Sequence, residues 1–155
     1  MNGDIFIDDK SVNSRVQKWE SNSNKFIIVM YVESPCYGLF VDNNHSLYCS
    51  MGAVNKVVKR SLNDSNITSI TVVAGTGYKG SASNELNTPQ GIFVDIKFDL
   101  YIAECGNNRV QLFPSGELNG IIVAGRNSPN PTFNSLSRSE DLDHLYHLYI
   151  CVNKC

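Results

Sequence analysis

A passage that the chain writes twice constrains its fold more than any other feature. Residues 38–51 read GLFVDNNHSLYCSM, and residues 91–104 read GIFVDIKFDLYIAE. Gly38/Gly91, Phe40/Phe93, Val41/Val94, Asp42/Asp95, Leu47/Leu100 and Tyr48/Tyr101 fall in register, each pair 53 residues apart. Self-similarity at a period of about 40–50 residues marks a repeat architecture, in which one supersecondary unit buries its faces against its neighbours.

Around these passages the strand signal is strong and the helix signal weak. Short apolar or alternating runs are IFI (5–7), RVQKW (15–19), FIIVMYV (26–32), GLFVD (38–42), SLYCS (46–50), VVK (57–59) and ITVVAG (70–75). GIFVD (91–95), LYIAE (100–104), RVQLF (109–113), GIIVAG (120–125) and LYICV (148–152) follow. They are rich in β-branched and aromatic residues and bounded by Asn, Ser, Gly and Pro. Their spacing, with turn chemistry between, predicts an antiparallel meander.

The repeat extends outward from the opening pair. Val72-Val73-Ala74-Gly75 returns as Ile122-Val123-Ala124-Gly125, and Arg15-Val16-Gln17 returns as Arg109-Val110-Gln111. Lys56-Val57-Val58 holds that place in the middle copy, and Leu148-Tyr149-Ile150 repeats Leu100-Tyr101-Ile102. The chain thus reads as one domain with complete four-stranded units at 36–75 and 89–125. A partial unit at 3–32 lacks its opening strand, and another at 142–155 stops after its second. Four short antiparallel strands per unit predict the blade of a β-propeller, here all-β, partial and incompletely closed.

The residues then resemble a known family. The order P-x-G-[IL]-x-V-D, LY[IV]A, N-x-R-[IV]-Q and V-A-G is similar to the NHL repeat. It stands here as Pro89 to Asp95, Leu100 to Ala103, Asn107 to Gln111 and Val123 to Gly125. The first unit keeps Asn13 to Gln17, the second Gly38 to Asp42, and the fourth little beyond Asp143 and Leu148 to Ile150. The resemblance implies part of a six-bladed propeller.

The repeated residues read first as architecture. Gly38 and Gly91 suit a close approach or a special backbone angle. Asp42 and Asp95 stand where a carboxylate accepts N–H groups across the first hairpin turn; the competing reading is a cation held on the axis. Arg15 and Arg109 follow Asn-rich turns and suit bridging of carbonyls or of an adjacent Asp. Tyr48, Tyr101 and Tyr149 recur where core packing between blades is expected.

Other motifs are weaker. Gly75 to Gly80 fits G-x-G-x-x-G, but no helical pattern follows it, so an inter-blade loop is expected instead of a dinucleotide site. His144, His147, Cys151 and Cys155 include zinc-ligand chemistry, although a strand would turn His144 away from His147 and Cys151. Lys56, Lys59, Arg60 and Lys79, with Tyr78, form a candidate basic patch for RNA. Five cysteines, an odd count, argue against a closed disulfide framework. Sequons at Asn44, Asn63 and Asn66 weigh little in an Asn/Ser-rich chain.

A net charge of −2 gives no global attraction to nucleic acid or anionic membranes. The longest apolar run, Phe26–Val32, is far short of a span, and MNGDIFIDDK lacks the basic and apolar regions of a signal peptide. No catalytic, metal or cofactor residues are assigned. The expected function is a non-catalytic scaffold for a protein partner, with open blade edges inviting self-association. The resemblance leaves three alternatives: a fragment of a metal-dependent lyase or lactonase-like enzyme, an RNA-binding module, and the recognition part of a ubiquitin ligase.

Overall fold

The computed structural model describes residues 4–9 and 14–125; the expected unit at 142–155 lies outside them. The described chain is all-β. Its first sheet holds β1 (Phe6–Asp8), β2 (Arg15–Glu20) and β3 (Lys25–Tyr31), in that order. The second holds β4 (Gly38–Val41), β5 (Ser46–Met51), β6 (Lys56–Ser61) and β7 (Thr71–Ala74). The third holds β8 (Pro89–Val94), β9 (Leu100–Glu104), β10 (Arg109–Phe113) and β11 (Ile121–Gly125). Every pairing is antiparallel between consecutive strands, so each sheet is a meander.

Strand ends differ from the sequence reading by a few residues. β6 runs on to Ser61 instead of ending at Lys59, and β8 begins at Pro89 instead of Gly91. A bulge between Pro89 and Ile92 on this edge strand admits a residue that has no N–H to donate.

The sheets stack face to face. β5 and β9 are buried along their whole length, as strands covered on both faces should be. One core joins the first two sheets through Val16, Met30, Leu47, Met51 and Val58. A second joins sheets two and three through Tyr48, Val57, Leu86, Ile102 and Phe113. The repeat-equivalent Phe40 and Phe93 meet across that second boundary, edge to face, with centroids 5.4 Å apart and planes at 84°. Such geometry favours the positive ring edge over the negative ring face.

At Gly38 the neighbouring sheet leaves no room for a side chain. A Cβ there would collide with the Gln90 carbonyl of the next sheet and approach Ser50 Oγ to 2.9 Å. The Ser50 hydroxyl also donates to that carbonyl, so two sheets share one crowded point. Gly38→Ala is expected to destabilise by about 1–3 kcal/mol, because the obstructing atom is backbone. Urea denaturation measures it.

The odd cysteine count leaves room for individual bridges, and the structure has them. Cys36 and Cys49 form a disulfide, with Cα atoms 5.4 Å apart, and Cys105 is also disulfide-bonded. An odd count excludes complete pairing but not individual bridges. Cys36 lies just before β4, and its antiparallel neighbour β5 carries Cys49 opposite Leu39. Both half-cystines sit in the core between sheets one and two. Cys36 N–H also donates to Asp8 Oδ2 at 2.7 Å, tying this segment to β1.

Candidate functional site

The repeated carboxylates organise turns. Asp42 Oδ1 accepts from Asn44 N at 2.9 Å and Ser46 N at 2.8 Å, while the Tyr48 hydroxyl donates to Oδ2 at 3.1 Å. Burial, then the Asp42 charge and this hydrogen bond, push the Tyr48 phenol well above its usual range. Asp95 Oδ1 likewise accepts from Lys97 N and Asp99 N, both at 2.9 Å. In each turn these bonds hold the carboxylate against the backbone.

Arg109 anchors the connection between sheets two and three. Its Nε donates to Glu104 Oε1 at 2.6 Å, and its other nitrogens reach the carbonyls of Ser81, Ala82 and Glu85 at 2.7–3.2 Å. Glu104, wholly buried, also accepts from Asn87 N at 2.9 Å and Asn107 Nδ2 at 2.7 Å. Burial pushes the Glu104 carboxyl up, against the lowering pull of Arg109, Asn87 and Asn107. This network clamps residues 80–87 and engages all three guanidinium nitrogens of Arg109. Arg15 makes the smaller version, an ion pair with Asp9.

The remaining sequence candidates do not converge. Gly75 to Gly80 forms a loop between β7 and β8, with Gly75 and Gly77 at φ of 85° and 92°. The basic patch disperses: Lys56 pairs with Glu33 at 2.8 Å, and Arg60 is buried against the carbonyls of Asn66 and Asp64. Asp143, His144, His147, Tyr149, Cys151 and Cys155 lie outside the described residues. Among the described residues no three His, Cys, Asp or Glu side chains gather as metal ligands, and no helix is long and apolar enough to cross a membrane. Gln111 is wholly buried with its side-chain amide unpartnered, a burden that Val58 avoids at the equivalent place in β6.

A groove of about 320 Å³ lies between the second and third sheets. Tyr48, Leu100 and Phe113, all buried, belong to its lining. Val72, Phe98 and Leu118 also line it and are 42%, 40% and 59% exposed, so apolar surface is left facing water. Lys59 and Glu117 add one charge of each sign. Lys59 Nζ stands 5.9 Å from the Tyr48 ring centroid, a weak cation–π contact.

Phe98 is the unusual member. Its φ is +66°, a left-handed conformation that is an outlier for a bulky residue. The turn dictates it: Phe98 N–H donates to the Asp95 carbonyl at 3.0 Å, and Asp95 caps the turn's other amides. His45 takes the same conformation in the second sheet, at +57°. Most other left-handed positions carry Asn or Gly, which tolerate it. Here the strained position presents an exposed aromatic ring. Sequence reasoning missed it, and the signal was the mismatch of an aromatic at a turn position that suits Asn or Gly.

No protein-family model matches the chain, and no curated relative matches its sequence. Solved structures match its fold. One chain in the crystal structure of a nidogen/laminin complex superposes with a TM-score of 0.60 and 14% identity, over 77% of this chain and 41% of that one. An auxiliary nutrient binding protein from Bacteroides thetaiotaomicron VPI-5482 superposes with a TM-score of 0.65 and 11% identity, over 83% and 35%. The class is therefore a β-propeller-like arrangement of stacked antiparallel sheets. The match thus takes in less than half the length of either neighbour.

Proposed function

We propose that this chain is a non-catalytic, NHL-type propeller segment that binds an apolar peptide segment of a protein partner in the groove between its second and third sheets. The strained Phe98 carries the reading. A bulky residue in the left-handed region costs about 1–3 kcal/mol, and the Phe98 ring belongs to none of the three hydrophobic cores. Exposed apolar side chains clustered on a concave surface are the ordinary mark of an interaction site. The P-x-G-I-x-V-D segment at Pro89 to Asp95, its partial echo at Gly38 to Asp42, and the recurring N-x-R-V-Q segments support the NHL assignment. One structural neighbour is part of a protein–protein complex and the other is described as nutrient-binding, which accords with a binding role.

The experiment is selection of displayed peptides on the immobilised chain, compared with Phe98→Asn. Asparagine tolerates the left-handed turn, so the variant is expected to be as stable as the parent or up to about 1 kcal/mol more stable. The parent is expected to enrich apolar and aromatic peptides, and the variant to lose at least tenfold of their affinity. Equal enrichment by both, or none by the parent, contradicts the reading.

A further inference from the structure

We infer that Asn66 is an acceptor for asparagine-linked glycan, and that the chain folds in an oxidising secretory lumen. The compartment follows from the core. Cys36–Cys49 is buried between two sheets and Cys105 is also disulfide-bonded. Disulfides used as core structure persist in oxidising compartments and are rare in the cytosol. In eukaryotes that lumen also holds the transferase that reads N-x-S/T.

All three described sequons cluster at one end of the second sheet. Asn44 lies in the β4–β5 turn, and Asn63 and Asn66 lie in the β6–β7 connection; Leu62 N–H donates to the His45 carbonyl at 2.8 Å and joins the two. Their side chains differ in what a glycan would meet. The Asn44 triplet ends in Ser46, which is buried and begins β5. Asn63 is exposed, but its triplet runs directly into Asn66, and a glycan there would crowd the second site.

Asn66 has the most favourable setting. Asn66 and Thr68 are both exposed. Asn66 Oδ1 accepts from Thr68 N at 3.1 Å and Thr68 Oγ1 at 2.7 Å, which engages the carbonyl oxygen and leaves the amide nitrogen without a protein acceptor. Its backbone carbonyl is held by Arg60 Nε and Ser69 N, both at 3.1 Å. A bulky substituent on Nδ2 therefore needs no change in the turn. In the transfer, Asn66 Nδ2 bonds to the anomeric carbon of a lipid-pyrophosphate-linked oligosaccharide. The anomeric C–O bond breaks, the lipid pyrophosphate leaves with its electron pair, and the amide proton passes to a base of the transferase.

The test is the full chain carried into the secretory pathway of a eukaryotic cell by an appended leader. The secreted protein is digested without reduction and mapped by mass spectrometry, before and after peptide N-glycosidase. The expected result is a Cys36–Cys49 linkage together with glycan on Asn66 in most chains, converted to Asp by the glycosidase. Asn66→Gln and Thr68→Ala should each remove that glycan's mobility shift, while Asn44→Gln leaves it. The parent map stands even if a variant fails to fold. Secreted, disulfide-bonded chain with Asn66 unmodified, or glycan at Asn44 or Asn63 in its place, overturns the assignment.

Discussion

Replacing Arg109 with alanine is expected to lower stability by about 3–5 kcal/mol, the usual loss when one member of a buried ion pair is removed. The variant strands Glu104, wholly buried and left with only Asn87 and Asn107 as donors. It also releases the carbonyls of Ser81, Ala82 and Glu85 from their clamp. Its pH dependence distinguishes this cause from general damage. Burial already pushes the Glu104 carboxyl above its ordinary range, and Arg109 is the strongest opposing influence. Without Arg109 the folded carboxyl rises further, so the folded chain holds a proton that the unfolded chain releases. Stability then falls as pH rises through that raised value, and the deficit against the parent shrinks in acid. Urea midpoints at about pH 5 and about pH 8 check this, and Glu104→Gln in the Arg109→Ala background should flatten the dependence. A loss below about 1 kcal/mol with no pH dependence would refute the clamp.

Removing the disulfide is the second large effect. Cys36 and Cys49 are 13 residues apart and both lie in the core between sheets one and two. Closing a loop of that size stabilises by about 3 kcal/mol through the unfolded chain. Cys36→Ala with Cys49→Ala is expected to lower the melting temperature by about 6–12 °C, at about 2–4 °C per kcal/mol for a chain of this size. Reductant present through the melt should lower the parent by at least that amount, and lower the variant only by what the Cys105 bridge contributes. A variant that melts with the parent would mean that the bridge adds nothing.

The sheets were legible because their requirements recur. Asp42 and Asp95 cap the same turn, Gly38 admits the neighbouring sheet, and Tyr48 and Tyr101 are buried in the same place of successive sheets. The arginine reading was also sound in kind: Arg109 bridges carbonyls and a carboxylate, although the partner is Glu104 instead of Asp. What escaped the sequence does not recur. Arg60 looked like surface charge, but the β6–β7 connection folds back and buries it. Cys36 and Cys49 become neighbours only through the β4–β5 register. The groove takes Val72 from one sheet and Phe98 and Leu118 from turns of the next, so neither periodicity nor a local motif could assemble it.

The repeat that identifies the fold also supplies its most direct test. Phe40 and Phe93 occupy the same position in successive units, and they meet across a sheet boundary only if the units stack as blades. A double-mutant cycle of Phe40→Leu and Phe93→Leu, read by urea denaturation, measures that meeting. Stacked sheets should give a coupling energy of about 0.5–1.5 kcal/mol. Losses that add without coupling would contradict the side-by-side packing of the repeat units.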